Sequence, residues 1–383
     1  MNALNYYKPT SRDIIGVIEV LRALNRYPMY GTKLHDQFTE ITHLALTSQI
    51  AAILFQVAKH QGDSLHSEKL PRIALSHTFL QYIICSIPDE TYSALFDNDP
   101  ELEKAFNKYV GETIKSLTSP SFALSIFDER KFDDETNLYF VAEALATKAE
   151  SYLLRGILSD DECLNLRRKA NTALSSYKSW PFVRDILEYL GTARQGENIS
   201  YLFNEVFANM RNVVRWKMRA PIRTHTILGH SFDVGVLNYL LVLSENEKDT
   251  TLAEQGFYVG LYHDVAELWT GDIPTPVKDG VPGLRKKTEE LEVKMLKEKV
   301  FPYLPDWMTA TFESWCLEMI PEEKKDIFKI GDELDAIIEA TSQVLCGSGD
   351  VYFPNVVEKC TKNPASPVMQ GIFEKLRNDA KLN

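Results

Sequence analysis

Helical periodicity is the feature of this sequence that most limits its fold. Apolar residues recur at three- and four-residue spacing, which is the pattern of helices that bury one face. Alternating, strand-like patterns are scarce, and Asp279-Gly280 follows two prolines, so it is expected to be a loop rather than a hairpin turn. The sequence therefore predicts an all-α protein. The helical segments are residues 14–24, 49–58, 75–84, 201–214, 232–243, 284–300 and 327–344.

The charge balance excludes one class of partner. The 383 residues include 42 Lys and Arg against 54 Asp and Glu, a formal net charge of −12. A net acidic chain has no overall attraction for phosphate backbones, so we expect no stable nucleic-acid binding. A pocket with local positive charge can still bind a small anion. The length allows two or three domains.

Cysteine usage and apolar runs bear on the compartment. The five cysteines, Cys85 among them, are widely spaced and form no CxxC pair, which argues against a disulfide framework or a thiolate zinc site. The first residues lack the basic and apolar regions of a signal peptide. Apolar runs such as residues 50–54 are far shorter than the ~20 residues that cross a bilayer. We therefore expect a cytoplasmic protein that does not bind membranes.

The chain has two halves with corresponding motifs. Residues 191–200 are polar with two glycines, which predicts a boundary between domains at 1–190 and 191–383. Two histidines are 34 residues apart in the first half and 33 in the second, and an acidic residue follows 66 or 69 residues later. Arg26-Tyr27 is interpreted as a counterpart of Arg215-Trp216. The corresponding positions are His43, His77 and Glu143, and His230, His263 and Asp332.

The second half carries a set of metal-binding residue types. His230 lies on one predicted helix, His263-Asp264 on the next and Asp332 on a third. Two imidazoles and two carboxylates that converge inside a helical bundle form a mixed nitrogen and oxygen site, which suits Mn²⁺, Co²⁺, Fe²⁺ or Ni²⁺. Because this set contains no cysteine thiolate, a closed structural zinc site is not expected.

Further polar residues follow His263. Glu267 is four residues later and is expected to share the face of His263 on one helix, within reach of a water held by the metal. Asp272 and Thr275 lie in a loop stiffened by prolines, which predicts a wall of a substrate pocket, although Asp272 alone is also typical of a turn cap. Lys278 is interpreted as a solvated loop lysine, and His225 as a surface residue or a support for the ligands.

This order of motifs resembles the HD-domain metal-dependent phosphohydrolase superfamily. The string YHDVAELWTGDIPTPVK at residues 262–278 is similar to the branch of bacterial 5′-deoxynucleotidases, which remove phosphate from deoxyribonucleoside monophosphates. Arg215-Trp216, fifteen residues before His230, and the GDEL string at residues 331–334 also match that branch. The resemblance covers about a third of the chain, residues 214–347.

The resemblance implies a ligand set and a cofactor. It implies tandem HD-like helical bundles with a single divalent metal in the second, because the additional histidines of binuclear members are missing after His263. Co²⁺ or Mn²⁺ is expected first, with Ni²⁺, Fe²⁺, Zn²⁺ or Mg²⁺ as alternatives. The implied metal ligands are His230, His263, Asp264 and Asp332.

The resemblance also implies roles around the metal. Glu267 would orient or deprotonate the attacking water, Arg215 would orient the phosphate, and Trp216 would pack where a 2′-hydroxyl would otherwise lie. Asp272 and Thr275 would contact the deoxyribose and phosphate. The implied catalytic residues are Glu267, Arg215 and Asp272, and the implied substrate-binding residues are Arg215, Trp216, Asp264, Asp272, Thr275 and Asp332.

The predicted function is metal-dependent hydrolysis of nucleoside 5′-monophosphates with a preference for the 2′-deoxy form. One alternative is a nucleotide di- or triphosphohydrolase of the same fold. A longer phosphate chain would need additional basic residues in the pocket, and few are near the motifs in sequence: Arg219, Arg223, Lys278 and residues 285–287. The other alternative is a non-catalytic nucleotide sensor. Glu267 is evidence against it, because a sensor does not need a residue that activates water.

In the first half, Thr78 and Gln81 stand where Asp264 and Glu267 stand in the second. Thr78 removes the carboxylate of the doublet and Gln81 cannot act as a base, which predicts a degenerate copy. This copy is expected to supply a packing surface within a monomer of pseudo-dimeric halves, or to bind a regulatory nucleotide; a homodimer is the alternative.

Overall fold

The structure of this protein is a computed structural model, which describes residues 7–29, 37–84, 94–96, 99–128, 133–191, 198–219, 221–317, 325–362, 364 and 366–381. Over these ranges the chain forms helices, with three isolated β-bridges and no strand, so the prediction of an all-α protein is confirmed. The α-helices of nine or more residues are α1 (Ser11–Leu24), α2 (Glu40–Gln61), α3 (Leu70–Ile84), α4 (Pro100–Leu117), α5 (Pro120–Asp128), α6 (Asp134–Leu153), α7 (Asp160–Tyr177), α8 (Pro181–Gly191), α9 (Ile227–Glu245), α10 (Thr250–Tyr262), α11 (Leu284–Lys299), α12 (Asp306–Cys316), α13 (Lys325–Leu345), α14 (Tyr352–Cys360) and α15 (Pro367–Asp379).

One predicted helix, at residues 201–214, has a different geometry. It consists of a π-helix, Leu202–Phe207, followed by a 3₁₀-helix, Ala208–Asn212. The helical segment ends there because Val213 turns to an extended conformation and Val214 pairs with Thr226 as an isolated antiparallel bridge.

The chain enters α2 and α9 in the same way. An antiparallel bridge precedes each helix, between Pro28 and Thr39 in the first half and between Val214 and Thr226 in the second. His43 and His230 each lie four residues after the bridging threonine.

The register of these bridges corrects one sequence interpretation. The backbone N–H of Met29 donates to Phe38 (2.9 Å), as that of Arg215 donates to His225 (2.8 Å). Met29 therefore occupies the position of Arg215, and the correspondence of Arg26 with Arg215 is wrong by register. The boundary near residue 190 stays a prediction, since residues 192–197 lie outside the described ranges.

The larger of two apolar clusters in the described ranges contains residues of both halves. α2 packs against α9 and α10, and α1 packs against α15. A polar link crosses the same contact: Gln49 Nε2 donates to the carbonyl of Leu261 (2.6 Å), and the Tyr262 hydroxyl donates to the carbonyl of Gln49 (2.5 Å). The last turn of α10 is thus held by a residue of α2.

Two helices, α2 and α9, are long and apolar enough to cross a membrane by length and composition. Within the fold, 94% and 100% of their most apolar windows are buried. Both are core helices of the described structure. The described cysteines Cys163, Cys316, Cys346 and Cys360 form no disulfide, and Cys85 lies outside the described residues.

Glycines allow α9 and α10 to approach closely. A Cβ atom on Gly260 would lie 2.3 Å from the Cα of Gly235, a distance that side chains do not tolerate. Gly235 is five residues after His230, and Gly260 is three before His263. The close crossing brings these imidazole rings together, with centroids 5.2 Å apart.

Candidate metal centre

Four side chains from three parts of the chain meet beside the α9–α10 crossing. His230 Nε2 lies 3.3 Å from Asp264 Oδ2 and 3.2 Å from Asp332 Oδ1, and His263 Nε2 lies 3.3 Å from Asp264 Oδ1. Ligand atoms of His230, His263 and Asp332 all lie within 4.8 Å of one another. The structure thus brings together the four residues predicted as ligands.

The second nitrogen of each imidazole is already engaged. His230 Nδ1 donates to Asp335 Oδ2 (2.6 Å), and His263 Nδ1 donates to the carbonyl of Gly260 (2.9 Å). With Nδ1 as the donor in both rings, each Nε2 is the atom left to bind a cation held between it and the carboxylates. This arrangement fits a divalent cation held by two imidazoles and two carboxylates.

The exposure of the side chains to solvent increases from His230 to Asp332. The side chain of His230 is 1% exposed and those of His263 and Asp264 are 10% and 18% exposed, whereas that of Asp332 is 50% exposed. The ligand set is therefore open to solvent on the side of Asp332, where a substrate can approach.

Neighbouring charges shift the pKa values of the group. Partial desolvation would raise the pKa of Asp332, but the hydrogen bond and charge of His230 outweigh it and lower that pKa. Burial and the Arg215 guanidinium lower the pKa of His230, yet Asp332 and Asp335 raise it to about 10 overall. Binding of a metal at His230 Nε2 would thus displace a proton.

Glu267 lies beside the ligands, but no continuous helix joins it to His263. The prediction that the two residues share one helical face is therefore wrong. α10 ends at Tyr262, and the backbone N–H of Glu267 donates to the carbonyl of Asp264 (3.0 Å) within a tight turn before the short helix Glu267–Thr270. Glu267 is 8% exposed. Burial, together with the charges of Asp264 and Asp272, raises the pKa of Glu267 to about 9.

Arg215 is fixed by α13. Its Nη1 donates to Asp335 Oδ2 (3.0 Å) and lies against His230 Nδ1. Glu339 is 3.8 Å from the same nitrogen. One edge of the guanidinium is therefore occupied by acids, and its charge is positioned next to the predicted metal ligands.

Trp216 has a left-handed backbone, with φ of 59°, a conformation that residues other than glycine seldom adopt. Its indole N–H donates to Glu339 Oε2 (2.5 Å), and its ring packs edge-on against Tyr352 and Phe353. This turn after Arg215 directs the indole toward α14, beside the metal centre.

The loop after Glu267 contributes charge near the site. Asp272 influences the pKa values of both Arg215 and Glu267, which places its carboxylate near them. Thr275 begins the short helix Thr275–Gly280 and is exposed. Within the described ranges, its side chain makes no hydrogen bond to the four predicted ligands. Lys278 is not a freely solvated lysine: its side chain is 17% exposed and Nζ lies 3.9 Å from Glu267 Oε1.

Sequence reasoning missed the acids behind the site. Asp335 and Glu339 lie three and seven residues after Asp332 on α13, which places them on one helical face, and both are buried. This helical spacing from Asp332 is the sequence feature that could have indicated these two acids. His225 is 7% exposed, with Nε2 3.5 Å from Asp335 Oδ2 and 3.7 Å from Asp233 Oδ2, so it supports the ligands rather than facing solvent.

The counterpart positions in the first half also form a cluster. Glu143 Oε1 lies 3.2 Å from His77 Nε2 and 3.9 Å from His43 Nε2. His43 Nδ1 donates to Glu150 Oε2 (2.8 Å), and Arg211 Nη2 donates to Glu150 Oε1 (2.6 Å). Glu143 thus lies beside both Nε2 atoms, as Asp264 does in the second half, and Thr78, at the position that corresponds to Asp264, offers no carboxylate.

The centre can be compared with the resemblance found in the sequence. Two histidines and two aspartates meet beside a buried glutamate, which is the set that the resemblance to HD-domain phosphohydrolases implies. In a comparison with family models, residues 202–363 match the family described as 5′-deoxynucleotidase YfbR-like. The resemblance predicted from the sequence is confirmed over that segment.

Curated relatives agree with the family match. A 5′-deoxynucleotidase of Vibrio vulnificus (strain YJ016) is 27% identical over 144 residues, which cover 37% of this chain and 74% of the relative. A 5′-deoxynucleotidase of Yersinia pestis (strain Pestoides F) is 27% identical over 148 residues with the same two coverages. These alignments cover about three quarters of each relative and a little over a third of this chain.

Proposed function

We propose that this chain is a phosphoric monoester hydrolase that removes phosphate from nucleoside 5′-monophosphates and prefers the 2′-deoxy form. The observation that carries the proposal is the convergence of His230 and His263 Nε2 with the carboxylates of Asp264 and Asp332 while both Nδ1 atoms donate elsewhere. The family match over the same segment and the names of the relatives support the reaction class.

His230, His263, Asp264 and Asp332 would hold the metal. A divalent cation at this position supplies a more acidic bound water and polarises a phosphoryl oxygen. Co²⁺ and Mn²⁺ suit two nitrogen and two oxygen donors with positions left for water and substrate. One metal per chain is proposed, because the first half has Thr78 at the position of Asp264 and so offers one carboxylate fewer.

Glu267 is proposed to take the proton of the attacking water. Its carboxylate has a raised pKa because of burial and its acidic neighbours Asp264 and Asp272. A cation held by Asp264 would counter that repulsion and favour the ionised form, which is the form that a general base needs.

Arg215 and the loop at Asp272 are proposed to position the substrate. Asp335 holds one edge of the Arg215 guanidinium, which leaves the rest of a planar, always-charged group for phosphoryl oxygens. Trp216 is proposed to pack against the deoxyribose, with Asp272 and Thr275 at the sugar and phosphate. Asp264 and Asp332 would face the phosphate from the metal side.

The charges around the centre favour a monophosphate over a polyphosphate. A longer phosphate chain needs additional cations, and the nearby candidates have other contacts: Arg219 stacks on the Tyr352 ring (4.0 Å), and Arg285 Nη2 pairs with Asp279 (2.7 Å). Lys278 lies between Glu267 and Glu292. The sensor alternative leaves the buried Glu267 without a role.

The test is product analysis over a panel of ribo- and deoxyribonucleoside mono-, di- and triphosphates. Chelated protein would be assayed with Co²⁺, Mn²⁺, Mg²⁺ or Zn²⁺ added back, beside His263→Ala. Orthophosphate released from deoxy monophosphates in preference to ribo forms, and lost with His263→Ala, is the expected result. Release of pyrophosphate or triphosphate would overturn the substrate, and no release from any nucleotide would overturn the enzyme proposal.

The setting of the activity follows from the same proposal. We place it in the cytoplasm, where nucleoside monophosphates occur, with no membrane or nucleic-acid partner. The packing of α2 on α9 within one chain supports a monomer whose two halves pack on each other. Sedimentation velocity across a range of protein concentrations distinguishes this monomer from a homodimer.

A further inference from the structure

The segment of residues 272–282 carries two of the proposed substrate contacts, Asp272 and Thr275, and lies between two glycines. Gly271 and Gly283 both have left-handed backbones, with φ of 71° and 81°, which glycine adopts without strain. A Cβ atom on either glycine would meet no atom within 4 Å. Neither end of the segment is enclosed on that side, so its position has to be set by its side chains.

Apolar packing contributes little to that position. Val277 and Val281 are 47% and 52% exposed. Ile273 is half-buried, but it is not among the described side chains that pack against the larger apolar cluster. Burial of apolar surface is the main stabilising contribution in most parts of a fold. The 272–282 segment therefore depends on polar contacts instead.

Two ion pairs join the segment to α11. Arg285 Nη2 lies 2.7 Å from Asp279 Oδ1, but the two side chains are 48% and 58% exposed, and exposed ion pairs stabilise little. Lys278 Nζ lies 3.8 Å from Glu292 Oε1, and these side chains are 17% and 24% exposed. The longer distance lowers the Coulomb attraction by about a third, whereas the lower effective dielectric of a mostly buried pair raises it severalfold. The pair of Lys278 and Glu292 is therefore the stronger of the two.

The same lysine lies beside Glu267, the proposed base. Lys278 Nζ is 3.9 Å from Glu267 Oε1, and the side chain of Glu267 is 10% exposed. Lys278 and Arg215 supply the positive charge that opposes the acidic neighbours of Glu267. One ammonium group thus lies between the proposed base and a carboxylate of α11.

We propose that Lys278 is a positioning residue, which holds the 272–282 segment and the Glu267 carboxylate against α11 through Glu292. Its effect on turnover rests on the proposed function, in which Glu267 and the residues of this segment act on the substrate. The charge of Lys278 is directed at two protein acids and not at the substrate phosphate. A helix that supplies none of the predicted site residues thereby sets the geometry of the site.

This attachment can be measured without turnover. Hydrogen exchange of the full-length chain, followed by mass spectrometry, reports how often peptides that cover residues 271–283 open. In Lys278→Gln and Glu292→Gln these peptides should exchange about two- to fivefold faster, which is the effect that loss of one ion pair has on local opening. Lys278→Arg keeps the charge and should exchange as the unmodified chain does. Lys286→Gln and Glu289→Gln change exposed residues of α11 and are the matched controls.

Steady-state phosphate release separates a positioning lysine from one that binds the substrate phosphate. If Lys278 positions the segment, Lys278→Gln and Glu292→Gln should each lower kcat/KM at least about threefold, since small misplacements of reacting groups slow a reaction. The double variant should be no worse than Lys278→Gln, because both changes remove the same ion pair. If Lys278 instead binds phosphate, Glu292→Gln would free it for the substrate and lower KM.

Controls separate these effects from folding and metal loss. Peptides of α9 should exchange equally in all variants, and elemental analysis should find the same metal content, since neither Lys278 nor Glu292 is a predicted ligand. Unchanged exchange of residues 271–283 in both Gln variants, unchanged kcat/KM, a lower KM in Glu292→Gln, or loss of metal from Lys278→Gln would each overturn the proposal. Faster exchange in both variants, together with no nucleotide hydrolysis by the unmodified chain, would reject the proposed function and leave the attachment to α11 in place.

Discussion

His230 and Asp335 form a buried hydrogen bond of 2.6 Å from an imidazole nitrogen to a carboxylate, and both side chains are 1% exposed. The same carboxylate oxygen accepts from Arg215 Nη1 at 3.0 Å. A single buried acid on α13 thus fixes the orientation of a predicted metal ligand and of the predicted phosphate-binding arginine.

Asp335→Asn should lower metal affinity about 10- to 100-fold without unfolding the chain. The amide keeps the shape of the side chain but loses the charge that fixes the His230 tautomer, and changes of this kind behind a metal ligand have effects of that size. Competition with a chelating dye measures the affinity. Glu333→Gln, an exposed acid on the same helix, is the control and should bind metal normally. Equal affinities in the two variants would contradict the role given to Asp335.

Glu267→Gln should reduce kcat by about 100- to 10,000-fold, because a glutamine cannot take a proton and general-base catalysis contributes about that much. Metal content and the melting temperature should stay near those of the unmodified chain. Steady-state phosphate release is the measurement, with the exposed Glu290→Gln as the matched control. Near-normal turnover in Glu267→Gln would exclude Glu267 as the base.

His263→Ala and His77→Ala change corresponding positions of the two halves and should differ in metal content. His263→Ala should lose bound metal, whereas His77→Ala should retain one metal per chain, since the first half has Thr78 in place of the Asp264 carboxylate. Elemental analysis of purified protein after exposure to Co²⁺ gives the stoichiometry. Two metals per unmodified chain, with one lost on His77→Ala, would show that the first half is also a metal site.

The first-half cluster should make stability depend on pH. Burial alone would lower the pKa of His43, but Glu150 and Glu143 outweigh it and raise that pKa to about 10 from 6.5. A raised pKa stabilises the fold fully below pH 6.5, and this contribution is lost as the pH rises through about 10. Burial would raise the pKa of Glu143, but His77 and His43 lower it, so its contribution is present above pH 4.5 and is lost in acid.

Urea unfolding at several pH values measures this effect. The free energy of unfolding should fall by a few kcal/mol between pH 6.5 and 10. In His43→Gln the fall should be smaller, since the group that titrates is absent. A curve of the same slope in both proteins would assign the pH dependence to other groups.

The sequence was most informative where chemistry depends on residue type and order. His230, His263, Asp264 and Asp332 could be selected because few histidines exist and their spacing is that of successive helices. The helices themselves followed from apolar periodicity, which reflects burial of one face. Local turns were harder to predict from the sequence. α10 ends at Tyr262, so Glu267 reaches the site through a tight turn and not along a helical face.

Contacts between distant segments could not be read from the sequence. Nothing in the pattern around Arg215 indicates that a carboxylate 120 residues later holds it. The bridge register that pairs Met29 with the position of Arg215 is likewise set by two separate backbone segments. Glu143, the counterpart of Asp332, lies beside both imidazoles of the first half, which the sequence spacing does not indicate.

The link from Gln49 to Leu261 and Tyr262 has a kinetic consequence. The turn that carries His263 is braced by a helix of the same covalent chain, so formation of this brace is a first-order event. A brace supplied by a separate molecule would dissociate on dilution, and the geometry at His263 would loosen with it. In this chain the specific activity should stay constant down to the lowest protein concentrations at which it can be assayed.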